Sequence, residues 1–292
     1  MEEKKMSIIV DAHYHLEEEI ETLESLLNQM QEYGVNRVVL IPKMNEPFQL
    51  KPIPKKASEY LPRLLMGSLR SLGLFLYNST VTSDGKLSTL GIKYLLYHKP
   101  DNSYIDLILQ KYPDKFLGWI FVNPKTMNPI DEIEKWAGRT GWIGVKTHPF
   151  WHNYPVRNLD DAAALCQEKE MPILIHLGGN GKTGDYRYLP DRFPKLKIIY
   201  AHAAVPYYRE VWSYAKNKEN VFIDLSSSVY LNDEILSAAI NSIGFRKCLY
   251  GTDGPYAHAT QSLMLDRIHR LNLSDVERDH ILGANFLMMT GM

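Results

Sequence analysis

The feature that most constrains the fold is the regular spacing of short, β-rich apolar runs along the chain. Eight such runs are present: Ile8–Val10, Arg37–Ile41, Phe116–Val122, Trp142–Lys146, Pro172–His176, Lys197–Ala201, Val221–Leu225 and Lys247–Gly251. All but one of the intervals between their starts are about 24 to 30 residues, which is the length of one strand, one helix and two short loops. Eight such units predict an α/β protein with a distorted (β/α)8 TIM barrel.

The interval between the second and third runs is much longer than the others. It spans about 79 residues, so that roughly 50 residues exceed one strand–helix unit. We place this insertion at about residues 43–105, and the apolar helical pattern of Tyr60–Tyr77 predicts that it is largely helical. Because it follows the second strand, we expect it to cap the barrel mouth within one domain over residues 1–292.

Helical patterns occupy the other intervals, as a barrel requires. Apolar residues recur at helical spacing over Glu17–Tyr33. Similar patterns cover Asp160–Lys169 and Asp275–Leu282, where Asn158 and Ser274 are candidate N-caps.

The composition argues against several kinds of partner. Lys and Arg total 33 and Asp and Glu total 34, so the net charge of −1 does not indicate nucleic acid or an anionic membrane. Cys166 and Cys248 are the only cysteines, which excludes a disulfide framework. No apolar run is long enough to span a bilayer, and the charged N-terminus is unlike a secretory signal. We therefore expect a cytoplasmic protein with no nucleic-acid or membrane partner.

Residues of the types that bind metals follow several predicted strands. His13 and His15 follow the first run, and they leave the backbone on the same side because side chains alternate along a strand. His176 ends the fifth run, His202 follows the sixth, and Asp253 follows the eighth. In barrels of this kind, chemistry takes place at the C-terminal ends of the strands. Imidazole and carboxylate groups that meet there suit zinc and similar ions.

Five short segments together resemble the amidohydrolase superfamily, and most closely its amidohydrolase-related (amidohydrolase 2) branch. They are Asp11-Ala12-His13-Tyr14-His15, Gly144-Val145-Lys146-Thr147-His148-Pro149, Ile173-Leu174-Ile175-His176, Tyr200-Ala201-His202 and Tyr250-Gly251-Thr252-Asp253-Gly254-Pro255. The segment Ile281–Asn285 is similar to the last helix of that branch, whereas the insertion matches no motif. The resemblance implies a distorted (β/α)8 barrel that binds one or two divalent metals, often zinc.

The resemblance also implies roles for particular residues. It implies that His13, His15, His176 and Asp253 bind the main metal, and that His202 either binds a second metal or polarises the substrate. A bound metal lowers the pKa of its water toward about 7 and so provides a hydroxide nucleophile. Asp253 could hold that water and pass its proton to the leaving group. Asp253 and His202 are therefore the candidate catalytic residues.

Lys146 bears on the number of metals. In some superfamily members a carboxylated lysine at the end of the fourth strand bridges two metals, and Lys146 lies on that strand. A free ammonium would be repelled by a dication, so Lys146 must be carboxylated, paired (for example with Asp224) or directed at an anionic substrate. The branch usually works with one metal, so we expect one Zn2+. Alternatives are Mn2+, Fe2+, Ni2+ or a second metal at Lys146 and His202.

Candidate substrate-binding residues lie in the insertion and in the loops that follow the strands. They are Arg63, Arg70, His148, Trp151, Arg187 and Tyr207. Aromatic and cationic side chains around a metal suit a small, flat substrate that carries a carboxylate. The alternative for each is that it only packs the insertion onto the barrel. The apolar insertion could also form the contact of a homodimer.

Two chemistries are compatible with the resemblance. One is hydrolysis of an amide, lactone or ester bond, and the other is non-oxidative decarboxylation of an aromatic or enoic acid. Decarboxylases of this kind usually carry a Gly or Met-Gly segment after the sixth-strand histidine, whereas this chain has Ala203-Ala204-Val205-Pro206, which favours a hydrolase. A TatD-type deoxyribonuclease is disfavoured by the near-neutral charge and by Lys146 in place of a glutamate. A binding protein without turnover is disfavoured by the complete set of ligands.

Overall fold

Eight parallel strands build the centre of the computed structural model. The structure describes residues 8–47, 60–82, 84–89, 92–256 and 259–292. The strands are β1 (Val10–His15), β2 (Arg37–Ile41), β3 (Lys86–Thr89), β4 (Ile92–Leu95), β5 (Phe116–Phe121), β6 (Trp142–Thr147), β7 (Ile173–Ile175), β8 (Ile198–Tyr200), β9 (Val221–Asp224) and β10 (Cys248–Leu249). All except β3 and β4 belong to one sheet, in the order β1-β2-β5-β6-β7-β8-β9-β10.

Hydrogen bonds between β1 and the chain that follows β10 bring the two ends of this sheet together. Ala12 N donates to Tyr250 O at 3.0 Å, and Asp253 N donates to His13 O at 2.8 Å. The sheet is thereby a nearly closed barrel, and the predicted TIM barrel is confirmed.

Helices alternate with the barrel strands. They are α1 (Leu23–Glu32), α2 (Tyr60–Met66), α3 (Arg70–Ser79), α4 (Asn102–Lys111), α5 (Pro129–Trp136), α6 (Pro149–His152), α7 (Asp160–Glu168), α8 (Tyr188–Arg192), α9 (Arg209–Ala215), α10 (Asp233–Ile243), α11 (Gln261–Arg270), α12 (Asp275–Asp279) and α13 (Asn285–Thr290). A π-helical turn, His280–Ala284, joins α12 to α13. Among the described residues, no helix combines the length and apolar character needed to cross a bilayer.

Two apolar clusters pack on the two faces of the sheet. One lies between the strands and the surrounding helices. The other fills the barrel interior with alternate strand residues, among them Val10, Ala12, Val39, Ile41, Leu117, Trp119, Phe121, Leu174, Ile199 and Leu249. Because interior side chains alternate along each strand, the residues that continue this face at the strand ends point into the barrel mouth.

An irregularity in β1 determines where its histidines point. The pairing with β2 shifts between Asp11 and Tyr14, as in a β-bulge. Ala12 packs in the interior cluster, whereas Tyr14 packs in the outer one. A regular strand would place these two residues on the same face, so the bulge turns His13 and His15 toward the interior.

Two of the predicted helix boundaries are corrected. The helix predicted over Glu17–Tyr33 begins only at Leu23, because Thr22 takes the N-cap position and accepts a hydrogen bond from a backbone N–H. Asn158 is not a cap, since it lies in a short 3-10 helix that precedes α7. Ser274 does cap α12, and it forms a complete capping box.

The described part of the insertion contains two helices and a pair of antiparallel strands. The helix predicted over Tyr60–Tyr77 is divided into α2 and α3, and β3 pairs with β4 in antiparallel fashion. A Cβ atom on Gly73 of α3 would lie only 2.9 Å from a backbone atom of α2, so this glycine permits close packing of the two helices. Residues 48–59, 83, 90 and 91 of the predicted insertion lie outside the described residues.

Candidate metal centre

Two histidines of β1 and the aspartate that follows β10 meet at the barrel mouth. The Nε2 atoms of His13 and His15 lie 3.3 Å apart. Oδ1 of Asp253 lies 3.6 Å from Nε2 of His13 and 3.5 Å from Nε2 of His15. Both histidines are buried, and Asp253 is 15% exposed. These three groups bring two ring nitrogens and one carboxylate oxygen within reach of one small ion.

Asp224, at the end of β9, determines the tautomer of His13. Its Oδ2 lies 2.9 Å from Nδ1 of His13, and an ionised carboxylate can only accept a hydrogen bond. Nδ1 therefore carries the proton, and the lone pair of Nε2 faces His15 and Asp253. Burial is the main reason why the pKa of His13 is lowered to about 3, so the ring stays neutral.

Asp224 also orients His202 through Ser226. The Ser226 hydroxyl donates to Oδ1 of Asp224, so Oγ accepts from Nδ1 of His202 at 2.8 Å. The backbone N–H of His202 donates to the same Asp224 oxygen at 2.9 Å. This arrangement leaves Nε2 of His202 4.0 Å from Oδ2 of Asp253.

The donor set suits a divalent cation. Metal ligands must be neutral imidazoles or ionised carboxylates. Burial lowers the pKa of His15 below its usual value, which keeps the ring neutral. Burial alone would raise the pKa of Asp253, but His202, His15 and His13 together hold it below its usual range. The three residues that meet at the centre therefore present the protonation states that a cation needs.

Left-handed backbone conformations occur at both candidate catalytic residues. The φ angles are 54° at His202, 50° at Ala203, 67° at Ala204 and 63° at Asp253. Each of these non-glycine residues costs roughly 1 kcal/mol or more in this conformation. The turn at the end of β8 interrupts the strand alternation and so points His202 toward Asp253.

His176 lies beside this centre but is not within bonding reach of all its members. The structure brings two sets of potential ligands together among the described residues, namely His13 with His15 and Asp253, and His13 with His202 and Asp224. His176 is in neither set. Its ring centroid is 4.8 Å from that of His202, and its Nε2 lies 2.9 Å from the hydroxyl of Tyr77 on α3.

Lys146 is buried in the mouth without a hydrogen-bond partner among the described residues. Burial lowers the pKa of its ammonium to about 8, while the charges of Asp224 and Asp253 act in the opposite direction. The proposed pairing with Asp224 is thus not formed as a hydrogen bond. Burying an ammonium without a hydrogen-bond partner lowers the stability of the folded protein. It also gives the mouth a positive group whose charge a bound anion would compensate.

His148 and Trp151 extend the site as an aromatic wall. The ring of His148 stacks on His176 at 4.2 Å and on Trp151 at 4.4 Å. Nδ1 of His148 accepts from Trp151 N at 3.0 Å, which caps α6. Burial holds the pKa of His148 well below its usual value, so its ring is neutral with the proton on Nε2. His148 thereby offers a hydrogen-bond donor rather than a base.

The other predicted substrate-binding residues do not contact this centre. Arg70 pairs with Glu210 at 2.7 Å and lies over the ring of Tyr207. Arg63 is exposed on α2 and lines a separate cavity of about 220 Å³. Arg187 lies over the ring of Tyr186 outside the mouth.

Two tyrosines that the sequence did not single out also border the centre. The ring of Tyr230 is 5.4 Å from that of His202, and the ring of Tyr256 is 5.1 Å from that of His15. Both follow the ends of strands, β9 and β10, and that position is the signal by which they could have been found.

Comparison with known proteins identifies relatives of this architecture. A family model described as "Amidohydrolase" matches residues 10–285. No curated protein matches the chain. Among solved structures, 2,6-dihydroxybenzoate decarboxylase from Rhizobium is 16% identical with a TM-score of 0.60, covering 98% of this chain and 99% of the other.

Two further solved structures are similar over nearly their whole length. 4-Oxalomesaconate hydratase from Rhodopseudomonas palustris has a TM-score of 0.62 at 16% identity, with 97% of this chain and 96% of the other covered. A probable 2-pyrone-4,6-dicarboxylic acid hydrolase from Acinetobacter baumannii has a TM-score of 0.63 at 16% identity, with 98% and 100% covered. At this identity the three structures show a common fold, which in those proteins accompanies three different reactions.

Proposed function

The chain belongs to the amidohydrolase family, and from that premise we propose that it is a metal-dependent hydrolase. Its substrate would be a small carboxylate-bearing molecule with an amide, lactone or ester bond. The observation that carries the proposal is the convergence of His13 and His15 with Asp253 at the barrel mouth. Neutral imidazoles and an ionised carboxylate at that place form a donor set for a catalytic cation.

One divalent cation, for which we propose Zn2+, would be held by His13, His15 and Asp253, with His176 beside them. Such a cation supplies Lewis acidity and lowers the pKa of a water molecule toward about 7. The donor set also accepts other first-row ions.

The proton-transfer groups of the proposed reaction are Asp253 and His202. The Asp253 carboxylate, which is held in its ionised form, would accept a proton from the attacking water and return it to the leaving group. The Nε2 atom of His202 lies 4.0 Å from the other oxygen of that carboxylate. It is therefore placed to donate to or accept from a substrate that binds between them.

The proposed substrate preference follows from Lys146, His148 and Trp151. The Lys146 ammonium, buried and without a hydrogen bond among the described residues, would pair with a substrate carboxylate. The Nε2–H of His148 would donate to a second substrate oxygen. The ring stack of His148 and Trp151 would lie against a flat substrate.

The second candidate function is non-oxidative decarboxylation of an aromatic or enoic acid. Lys146 beside an aromatic wall would accommodate such an acid as well, and a decarboxylase of an aromatic acid shares the fold. The Ala203-Ala204-Val205-Pro206 segment after His202 favours the hydrolase.

One experiment tests both functions. The purified protein is analysed for metal and incubated with pools of lactones, amides, esters and aromatic carboxylates, while acid release and carbon dioxide are followed separately. We expect about one equivalent of divalent metal, acid release without carbon dioxide, and loss of activity after chelation.

Variants complete the test. Asp253→Asn and His176→Ala should lose activity while remaining folded, whereas Asp275→Asn, at an exposed position on α12, should retain it. Carbon dioxide release would favour the decarboxylase. Normal turnover by both Asp253→Asn and His176→Ala would reject the proposed site.

A further inference from the structure

The insertion places the side chain of Tyr77 beside His176. Asn78 of α3 exchanges two hydrogen bonds of 3.1 Å with the backbone N–H and carbonyl of Gly179, in the loop that follows β7. The adjacent residue, Tyr77, is fully buried and stacks on Phe150 at 4.4 Å. These contacts hold the end of α3 against the rim of the barrel, with the Tyr77 hydroxyl next to His176.

The hydroxyl of Tyr77 makes two hydrogen bonds, and only one direction is possible for each. It lies 2.8 Å from the carbonyl oxygen of Leu177 and 2.9 Å from Nε2 of His176. A carbonyl oxygen cannot donate, so the single hydroxyl proton goes to Leu177. The hydroxyl oxygen must then accept from His176, which places a proton on Nε2.

The consequence concerns the other nitrogen of His176. A neutral imidazole that carries its proton on Nε2 has its lone pair on Nδ1, and a metal binds only the nitrogen that has a lone pair. Nε2 of His176 is engaged by Tyr77, and neither ring nitrogen of His176 belongs to the converging sets among the described residues.

We propose that Tyr77 is a positioning residue, through which the insertion holds His176 in the orientation and tautomer that present Nδ1 to the catalytic cation. This proposal rests on the proposed function, because it assumes that a cation binds at the mouth. It assigns to the insertion a part in building the metal centre, in addition to the predicted capping of the barrel mouth. Partners of metal-binding histidines typically change metal affinity by about 10- to 100-fold when they are removed.

The test compares Tyr77→Phe with a matched control, Tyr208→Phe. Tyr208 is also fully buried, and its hydroxyl also donates to a backbone carbonyl, that of Tyr230, at 2.9 Å. Both variants lose one buried hydroxyl, but only Tyr77→Phe removes a partner of His176. Each protein is prepared metal-free with isotope-labelled histidine, and the His176 resonance is identified by its absence from His176→Gln.

Two measurements are made. Nuclear magnetic resonance of the metal-free proteins shows which ring nitrogen of His176 carries the proton and how fast that proton exchanges with water. Zn2+ affinity is then measured by competition with a chelating indicator. We expect the proton on Nε2 in the wild type, exchange about tenfold faster in Tyr77→Phe, and Zn2+ affinity about 10- to 100-fold weaker in that variant only.

The outcomes separate this proposal from the proposed function. A proton on Nδ1 in the wild type, or equal Zn2+ affinities in Tyr77→Phe and Tyr208→Phe, would overturn the role of Tyr77 even if the enzyme is a metal-dependent hydrolase. Failure of the wild type to bind any divalent metal would instead overturn the proposed function. Because the tautomer of His176 is measured in the metal-free protein, that result is obtained whether or not the protein binds a metal.

Discussion

Burial determines the protonation states at the barrel mouth. His13, His15, His148 and His176 all have lowered pKa values because burial disfavours the imidazolium. The pKa values of Asp224 and Asp253 stay below the usual range because hydrogen bonds, to His13 and Ser226 for Asp224 and to His15 for Asp253, act against the effect of burial. The mouth therefore combines neutral nitrogen ligands with negative oxygen ligands, and this combination favours a cation over a proton.

Lys146→Met tests the cost of the buried ammonium. Removing a buried charge that has no hydrogen-bond partner should raise the free energy of unfolding of the metal-free protein by on the order of 1–3 kcal/mol at pH 7. The same change should abolish activity on anionic substrates. Chemical denaturation of the metal-free wild type and variant measures the difference.

The difference in stability between Lys146→Met and the wild type should change with pH in a definite direction. Between the folded pKa of about 8 and the unfolded value of 10.5, the unfolded chain binds a proton that the folded chain has lost. Wild-type stability should therefore rise with pH across this window, and the advantage of Lys146→Met should shrink. A constant difference between pH 7 and pH 10 would show that the ammonium is not the cause.

Asp224→Asn tests the carboxylate that orients His13 and His202. The amide is a weaker acceptor for His13 Nδ1–H, so metal affinity should fall by about 10- to 100-fold. Asp106→Asn is the control, because Asp106 is an equally buried carboxylate that bonds to Trp142 on the outer face of the barrel. Unchanged metal affinity in Asp224→Asn would contradict the assigned contact.

At the scale of elements, the strand ends bring the site together and the insertion completes it. β1 and the segments that follow β7, β8 and β10 each supply a histidine or aspartate to one rim of the barrel. The bulge in β1 and the left-handed turn after β8 redirect side chains that regular strands would place differently. The end of α3 is held to the same rim through Asn78.

Gly179→Ala tests how α3 is held. A Cβ atom at this position would lie 2.6 Å from the Asn78 side-chain oxygen, so Asn78 must move and lose both hydrogen bonds. We expect α3 to open more readily, with a loss of about 1–2 kcal/mol in its local stability. Hydrogen exchange of the α3 amides measures this loss. Gly181→Ala, where a Cβ meets nothing within 4 Å, should leave exchange unchanged.

If Gly179→Ala and Gly181→Ala give the same exchange rates over α3, the Asn78 contact does not hold the insertion. If Gly179→Ala also weakens Zn2+ affinity, the result agrees with a link between α3 and His176 through Tyr77.

At the scale of the whole molecule, metal removal should lower the melting temperature. A cation at 100 times its dissociation constant stabilises the folded state by about 2.7 kcal/mol. For a chain of this size, that corresponds to a shift of roughly 4 °C. Thermal unfolding with chelator, and again after Zn2+ is restored, measures the shift. Identical melting temperatures under both conditions would contradict metal binding to the folded state.

Two predictions about the whole chain stay predictions. One is that residues 1–292 form a single domain. The other is a homodimer, for which the insertion exposes apolar side chains, among them Leu69, Leu72 and Phe75. The molar mass in solution, measured by light scattering, distinguishes a monomer from a dimer.

The sequence by itself determined the barrel, because strand and helix patterns arise from contacts that are regular along the chain. β2 was predicted to the residue, and the other barrel strands were located with errors at their ends. Parallel strands bring their C-terminal ends to one rim, so the place of His13, His15 and Asp253 followed from the same pattern.

Only the tertiary structure decided the protonation and the partners of these residues. Tyr77 lies 99 residues from His176 along the chain, and Asp224 lies 211 residues from His13. No local pattern encodes such pairs, since each depends on how separate elements pack. The tautomers of the histidines, the unpaired state of Lys146 and the part of the insertion in the site are all consequences of that packing.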